Sequence, residues 1–437
     1  MDTPRRPQGQ ADRRQQTTQS PVGRGLPWPR FTGRTFSDLY ALPGPGLHLP
    51  RYPLYTPDEP RRGDFDYFFL RGPRYASCQA ARFMLLGGEF LTLADAAGVD
   101  LTTDLSDYWN GYFREHFLGQ FGPVIRYAGE TGYRQRAAEF PRHRIVSPHP
   151  FDSAHLPAER YYLADPHLVV RLNDKGRIAE LTPHVLHHET LDAQAFADGK
   201  WRERWELPFV LKLTEPSGGG DGVVLCRRET QVREAQRRLR GRAVKVEPLI
   251  ESIRHNYNVQ LQVTRRGHIR YIGGSVQRVA AGRYAGNLID LAWRPPTPVA
   301  RICDQVARAA AALGWYGVCG LDLLEDGAGA VWFIDPNFRL NGSTPFFLLD
   351  DYLATRHRRP QLTTGYFCYP GTPTELLDHF RHEIHRRELI PVGACYDPGA
   401  DGITRLYAAV ASDGDPQTHA GLLASFESKH LVAGIAL

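Results

Sequence analysis

The sequence predicts a multidomain α/β (α+β) protein, and three observations support this. Its 437 residues are enough for about two to four packed domains. Between residues 64 and 165, short apolar runs alternate with helical patterns, which is typical of a largely parallel sheet. From about residue 207, pairs of apolar runs separated by glycine-containing turns predict antiparallel hairpins.

Composition excludes several classes of protein. The 42% hydrophobic and 23% charged content is ordinary for a soluble globular protein, and no apolar run is long enough to predict a membrane-spanning helix. The net charge is +5, but six Arg and two Asp in residues 1–30 account for +4 of it. The remainder is nearly neutral, so no nucleic-acid interface is expected. The six scattered cysteines predict reduced thiols and a cytoplasmic location.

The N-terminal third predicts a tail followed by an α/β unit. Residues 1–30 are rich in Gln, Pro, Arg and Thr, so we expect them to be disordered. The runs "FDYFFL", "FGPVIRYAG" and "HRIVSPHPF" predict strands, whereas "YASCQAARFMLLGGEFLTLADAAG" has helical spacing. The segment "YYLADPHLVVRLNDKGRIAEL" predicts a strand, a turn at Asn173-Asp174 and a helix.

The rest of the chain predicts hairpins and amphipathic helices. Residues 207–226 predict two strands around a glycine loop, followed by a helix over 229–242. A hairpin with its turn near Gly267 precedes a helix that ends at Gly314, and "VCGLDLLEDGAGAVWFIDPNFRL" predicts a second hairpin. The C-terminal part predicts a helix in "TELLDHFRHEIHRREL" and a strand in "ITRLYAAVAS".

The second hairpin carries polar residues at alternate positions. Side chains alternate between the two faces of a strand, so Asp335, Asn337 and Arg339 are expected on one face. If the turn is centred between Ala328 and Gly329, Asp322 lies opposite Asp335, with Cβ atoms about 5 Å apart.

Two facing carboxylates repel each other unless a cation lies between them. Two carboxylates and an amide oxygen suit Mg²⁺, which also takes phosphate oxygens and water. The sequence therefore indicates a metal site at this hairpin, and the alternative is a solvated sheet end where the acids only face water.

Lysine is rare in this chain, which makes each lysine a candidate. Only five of the 53 basic residues are lysines: Lys175, Lys200, Lys212, Lys245 and Lys429. Lys212 lies in the apolar run "FVLKL", and a buried ammonium requires an anion. The glycines that follow can expose backbone N–H groups to phosphate, although their spacing matches neither a Walker A loop nor a dinucleotide fingerprint. The alternatives are chance retention of lysine and a flexible hairpin tip.

The segment "VKVEPLIE" (244–251) predicts an edge strand that carries Glu247 and then Pro248. Because proline interrupts the ladder, nearby backbone groups are left unpaired and can bind the edge of a purine. The alternative is an ordinary edge strand.

The order of these features resembles the ATP-grasp superfamily. The matching motifs, between about residues 170 and 345, are "FVLK", "SGGGDGVV", "VEPLIE", "GLDLL" and "IDPNFRLNGS". The phrase "RLNGSTPFFLL" resembles a subgroup from natural-product pathways, whose members join an amino acid to a peptide, to another amino acid or to a carrier-protein thiol.

The resemblance implies a role for each matching residue. Lys212 would contact the ATP phosphates, Lys175 is the candidate for a second phosphate lysine, and Arg339 would steady the γ-phosphate or the acyl phosphate. The full implied set comprises the phosphate loop Gly218, Gly219, Gly220 and Gly222, the adenine hinge Glu247, Pro248 and Leu249, the ribose ligand Asn258, and the ligands Asp322, Asp335 and Asn337 of one or two Mg²⁺ ions, with Mn²⁺ as an alternative.

Substrate recognition is assigned to residues 273–289, "GGSVQRVAAGRYAGNLI", which are expected to form a lip over the site. Arg278 is the candidate that grips a substrate carboxylate, and the alternative is a surface loop. Two departures from the family pattern bear on this: Asp335 stands where a Glu is usual, and Gly320 stands where many ligases have an Arg. Arg339 or Arg278 would then have to supply the missing charge.

The resemblance also implies a domain order. It comprises a disordered tail (1–30), an N-terminal α/β pre-ATP-grasp domain (31–165), a nucleotide-binding subdomain (166–245), a catalytic subdomain with the metal site (246–350) and a C-terminal α/β extension (351–437).

The implied activity is an ADP-forming ligation. A carboxylate, expected to be an amino acid, is converted to an acyl phosphate by ATP, and an amine or a carrier-protein thiol displaces the phosphate. The expected partners are small-molecule carboxylates and amines, with an acyl or peptidyl carrier protein as an alternative, and neither nucleic acid nor membrane. The rival hypotheses are a small-molecule kinase of the same superfamily and a non-catalytic nucleotide-binding protein.

Overall fold

The structure is a computed structural model that describes residues 26–40, 42, 44–48, 82–83, 86–95, 123–127, 129–146, 158–162, 165–215, 222–280, 283–396 and 402–433. The predicted strand "FDYFFL" and the glycines 218–220 lie outside these residues.

The N-terminal unit contains a parallel four-stranded sheet, as predicted. Its strands are β1 (Gly46–His48), β2 (Leu91–Asp95), β3 (Val124–Tyr127) and β4 (Arg144–Val146), in the order β3-β2-β1-β4. Two helices accompany them, α1 (Phe36–Tyr40) and α2 (Gly129–Ala138). The helical prediction was wrong over β2, because Leu91 and Leu93 alternate at a period of two and Leu93 packs beside Leu47 in the core of this sheet.

In the segment predicted as strand, turn and helix, a helix replaces the body of the predicted strand. Helix α3 (Pro166–Asn173) begins with proline at its first position, and the Asp165 side chain accepts a hydrogen bond from His167 N. A 3₁₀ helix, Lys175–Glu180, follows directly. The apolar side chains of both helices pack against the large sheet described below, so this burial decides against a strand.

A second unit is a small antiparallel sheet with its own core. Its strands are β5 (Glu189–Leu191), β6 (Phe209–Leu213), β7 (Val223–Cys226) and β8 (Val244–Pro248), in the order β5-β8-β6-β7. Helix α4 (Ala193–Asp198), the 3₁₀ helix Lys200–Arg204 and helix α5 (Glu229–Arg238) cover it. The two strands around the glycine loop and the following helix were predicted correctly.

The third unit is a nine-stranded sheet built mostly from hairpins. Its strands are β9 (Ile253–Val263), β10 (Ile269–Ala280), β11 (Arg283–Asp290), β12 (Gly317–Asp326), β13 (Val331–Asn337), β14 (Gln361–Pro370), β15 (Leu389–Tyr396), β16 (Ile403–Ser412) and β17 (Val432–Ala433). The order is β13-β12-β9-β10-β11-β14-β16-β15, and β17 pairs with β14. Both predicted hairpins are confirmed, and Gly267 has the positive φ of 76° that its turn requires.

Helices cover both faces of the large sheet. Helix α6 (Thr297–Ala312) packs on the face that carries Val259 and Leu261, and Gly314 follows it with a φ of 95°. Helix α7 (Thr344–Leu348) and a π-helix (Asp351–Arg356) follow β13. The predicted C-terminal helix is divided into α8 (Pro373–His379) and α9 (Arg381–His385), and α10 (Pro416–Ser428) is the last helix of the described chain.

Two observations revise the predicted domain order. Residues 26–30, predicted to be part of the disordered tail, are packed: Trp28 is buried and its Nε1 donates to Asp304 Oδ1 at 2.8 Å. Strands β14 to β17, predicted as a separate extension, belong to the same sheet as the catalytic hairpin. The boundaries themselves remain predictions. In the described part of the chain, no helix is both long and apolar enough to cross a membrane.

The close approach of β11 to β14 gives a test of the large sheet. Gly286 has a φ of 121°, and a Cβ atom there would overlap the carbonyl oxygen of Thr364. We expect Gly286→Ala to lower the midpoint of thermal unfolding by about 5 °C or more, because both the backbone and the ladder must shift. The matched control is Gly421→Ala in α10, where a Cβ meets open space and the helix gains stability. Equal midpoints for the two variants would contradict this packing.

Candidate active site

Asp322 and Asp335 face each other on β12 and β13, as predicted. The reason is partly different from the one expected. Near the tip, Glu325 pairs with Val331, so the turn is centred on Ala328. An irregularity between Asp322 and Leu323 leaves Ile334 as an extra residue, and this restores the opposition of the two aspartates.

Three side-chain amides surround the Asp322 carboxylate. Asn258 Nδ2 on β9 donates to Oδ1 at 2.6 Å, and Gln277 Nε2 on β10 donates to the same oxygen at 3.1 Å. Asn337 Nδ2 donates to Oδ2 at 3.2 Å. Burial, and then repulsion by Asp335, raise the pKa of Asp322 to about 7, although Asn258, Gln277 and Arg339 partly offset the shift.

Asp335 is paired with Lys175. The two atoms Lys175 Nζ and Asp335 Oδ1 are 3.1 Å apart, and the Lys175 side chain is only 4% exposed. Asp335 Oδ1 is buried and accepts no hydrogen bond from the described residues. The backbone of Lys175 donates to Thr214 O at 2.8 Å, beyond the end of β6, so this lysine connects the small sheet to the aspartate pair.

Asn337 and Arg339 extend the site beyond the end of β13. Arg339 Nη2 donates to Asn337 Oδ1 at 2.5 Å, and its Nη1 donates to Leu340 O at 3.2 Å. The amide carbonyl predicted as a metal ligand is therefore occupied by Arg339 here. Gly320 lies opposite Asn337, and a Cβ at Gly320 would overlap the Asn341 side chain. A larger side chain at position 320 would therefore require the Asn341 side chain to move.

The donor set fits a divalent cation. Two facing carboxylates are hard oxygen ligands of the kind that Mg²⁺ prefers, and Lys175 already places one positive charge beside Asp335. Among the described residues there is no cluster of three or more His, Cys, Asp or Glu side chains that could hold a metal. Asp322 and Asp335 would therefore supply only part of the coordination, and phosphate oxygens and water would complete it.

Lys212 belongs to a charged cluster that the sequence analysis found only in part. Lys212 and Lys245 are directly opposite each other on β6 and β8, and Glu247 lies two residues beyond Lys245. Lys212 Nζ contacts Glu247 Oε1, and Lys245 Nζ lies 2.7 Å from Glu247 Oε2. Burial alone would raise the pKa of Glu247, but the two ammonium groups outweigh it and lower the pKa to about 2.

Lys245 was not predicted as a member of this cluster. The sequence distinguishes it only as one of five lysines, and the signal that points to it is its alternation with Glu247 on the same strand. Three of those five lysines, Lys175, Lys212 and Lys245, are buried and paired with acids in the structure.

Only part of the segment predicted as the adenine hinge lies at a sheet edge. Strand β8 lies between β5 and β6, so the edge-strand prediction was wrong for residues 244–246. Pairing with β5 ends at Val246, and Glu247 and Pro248 pair only with β6. Leu249 N donates a long hydrogen bond to Pro208 O at 3.4 Å. The role of residues 247–249 in binding adenine stays a prediction.

The glycine loop is described only at its end. Gly218, Gly219 and Gly220 lie outside the described residues, whereas Gly222 has a φ of 79° and its Cβ position is filled by the Leu213 side chain. Glycine is therefore required where the loop re-enters β7.

The described residues of 273–289 lie in strands β10 and β11 rather than in a surface loop, and the lip that they were expected to form stays a prediction. Gln277 and Asn287 are paired on the face that carries Asp322. Strand alternation places Arg278 with Val276 on the opposite face, which α6 covers. The carboxylate-gripping role of Arg278 stays a prediction without a geometric basis. Asn258 likewise is engaged by Asp322 and Gln260, so its role at the ribose also stays a prediction.

Comparisons with known proteins agree with this geometry. Residues 188–337 match the family model of the ATP-grasp L-aspartate–L-methionine ligase, a segment that includes β5 to β13. The N5-carboxyaminoimidazole synthase from Aspergillus clavatus, solved with ADP and 5-aminoimidazole ribonucleotide, is 13% identical, with a TM-score of 0.53, over 77% of this chain and 98% of that chain.

Two further solved structures share the fold. A biotin carboxylase from Campylobacter jejuni, solved with a β,γ-ATP ligand, is 12% identical, with a TM-score of 0.53, over 89% of this chain and 91% of that chain. An N5-carboxyaminoimidazole ribonucleotide synthetase in complex with ADP is 11% identical, with a TM-score of 0.51, over 81% and 93%. The fold is therefore the ATP-grasp fold, and residues 188–337 are similar to an ATP-grasp amino-acid ligase family.

The raised pKa of Asp322 predicts that, without bound metal, the free energy of unfolding depends on pH. The folded state holds this proton more tightly than the unfolded state does, so ionised Asp322 destabilises the fold above about pH 7. The cost shrinks as the pH falls from about 7 toward about 4. We expect Asp322→Asn to stabilise the protein by about 1–3 kcal/mol at about pH 8.5 in EDTA, with a smaller gain at about pH 5.

Thermal melts of both proteins at the two pH values would check this. Asp378→Asn, on an exposed side chain of α8 paired with Arg381, is the control and should leave the midpoint unchanged. A destabilised Asp322→Asn protein at about pH 8.5 would show that the amide contacts outweigh the charge.

Proposed function

We propose that this chain converts the carboxylate of an amino acid to an acyl phosphate with ATP and Mg²⁺, releases ADP, and joins the acyl group to an amine. The observation that carries the proposal is the facing pair Asp322 and Asp335, with Lys175 paired to Asp335 and Arg339 bonded to the neighbouring Asn337. Residues 188–337 match the family model of an L-aspartate–L-methionine ligase, and this match supports an amino acid as the activated carboxylate.

The chemistry is positioning and charge neutralisation. Asp322 and Asp335 would hold Mg²⁺, which would supply positive charge to offset that of the phosphates. Lys212 and Lys175 contact the phosphates, and Arg339 stabilises negative charge on the transferred phosphoryl group. A carboxylate oxygen of the substrate attacks the γ-phosphorus, and the bond from that phosphorus to the β-phosphate oxygen breaks. The amine then attacks the acyl carbon and loses a proton, and inorganic phosphate leaves.

Lys175 changes partner in this scheme. In the structure its ammonium neutralises Asp335. If Asp335 held Mg²⁺, Lys175 would no longer be needed there and could turn toward the incoming phosphates. This exchange keeps Asp335 paired with a cation before and after nucleotide binding, which avoids the cost of a buried, uncompensated carboxylate.

We also propose a pathway and an acceptor for the reaction. The similarity of "RLNGSTPFFLL" to natural-product ligases supports a role in such a pathway, with an amino acid or peptide amine as the acceptor and a carrier-protein thiol as the second candidate. We place the enzyme in the cytoplasm, where ATP is supplied and where its scattered cysteines would remain reduced.

The test is an assay with ATP, Mg²⁺ and hydroxylamine. Hydroxylamine traps an acyl phosphate as a hydroxamate, whatever the natural acceptor is. A panel of amino acids that includes L-aspartate and L-methionine is screened for ADP and hydroxamate. We expect both products to depend on one amino acid and to fall by about 100-fold or more in Asp335→Asn, since a charge needed in the transition state is lost.

Three outcomes separate the hypotheses. The control Asp378→Asn should retain full activity because its side chain is exposed on α8. Amino-acid-dependent ADP without a hydroxamate would favour a kinase. Absence of ATP binding by calorimetry would overturn the nucleotide site itself.

A further inference from the structure

Lys245 is an unusual residue for the position it occupies. Its side chain has no exposed surface, and it lies on β8 directly opposite Lys212 on β6. Two ammonium groups at facing positions repel each other. An apolar side chain would fill the same space without the loss of hydration that a buried charge carries. Burial lowers the pKa of Lys245 to about 8, partly offset by Glu247, which reflects this loss of hydration.

Glu247 forms an ion pair with each of the two lysines. One of its oxygens, Oε1, contacts Lys212, and the other, Oε2, lies 2.7 Å from Lys245 Nζ. The Glu247 side chain is 3% exposed, so water cannot replace either partner. Among the described residues, Glu247 is the acid within ion-pair distance of Lys245.

The net charge of Lys212, Lys245 and Glu247 favours the binding of an anion. Two ammonium groups and one carboxylate leave a net charge of +1, whereas Lys212 and Glu247 alone would be neutral. Removal of one partner from a buried ion pair typically costs about 3–5 kcal/mol. If Lys212 were the only cation paired with Glu247, moving Lys212 to a phosphate would leave the buried Glu247 carboxylate without a partner, and this would destabilise the protein by a similar amount.

We propose that Lys245 is a positioning residue that keeps Glu247 paired while Lys212 transfers to the ATP phosphates. This inference rests on the proposed function of Lys212 as a phosphate ligand. Lys245 itself does not contact the nucleotide. It acts through Glu247, because it leaves Lys212 able to exchange its carboxylate partner for a phosphate oxygen.

The test measures the dissociation constant of Mg–ATP by calorimetry on the full chain. We expect Lys245→Met to weaken binding by about tenfold or more, because Glu247 then retains Lys212. In the double variant Lys245→Met/Glu247→Gln, the buried carboxylate is gone, and binding should return to within about threefold of the Glu247→Gln variant. Lys200→Met, an exposed lysine near the same small sheet, is the matched control and should bind as the wild type does.

Each result decides between distinct explanations. A lower melting temperature of Lys245→Met with unchanged Mg–ATP affinity would mean that Lys245 is only structural. If the double variant binds Mg–ATP more weakly than the Glu247→Gln single variant does, Lys245 contacts phosphate directly, and the positioning role is overturned. This second comparison also holds if the single Lys245→Met variant fails to fold. Failure of the wild-type chain to bind Mg–ATP would instead overturn the proposed function.

Discussion

The repulsion between Asp322 and Asp335 is the constraint on which the site depends. Two carboxylates held opposite each other on adjacent strands are unfavourable without compensation, and the surrounding residues supply it. Three amides donate to Asp322, and Lys175 neutralises Asp335. Because these partners come from β9, β10, β13 and the turn after α3, the aspartate pair determines how four separate parts of the chain must meet.

Much of this site could be predicted because its central part is local in sequence. The hairpin of β12 and β13 brings Asp322 to Asp335 across a short turn, and strand alternation relates Asp335 to Asn337. Lys212 could be found because an ammonium in an apolar strand needs an anion. These inferences need only the geometry of one strand or one hairpin.

The errors arose where distant packing decides the outcome. The run that became α3 is apolar enough for a strand, and only its burial against the large sheet and its Asp165 cap select a helix. The role of Arg278 stays a prediction, and the face that this residue occupies depends on an irregularity in the pairing of β10 with β9, which the sequence does not reveal. Lys245 was overlooked because its importance comes from Lys212, which lies on another strand.

The contact between Gly320 and Asn341 also has an evolutionary consequence. The Asn341 side chain fills the space above Gly320, and its Nδ2 donates to the carbonyl of Arg339. An arginine at position 320 would require the Asn341 side chain to move, because its Cβ would overlap that side chain. The two positions are therefore expected to change together among related sequences.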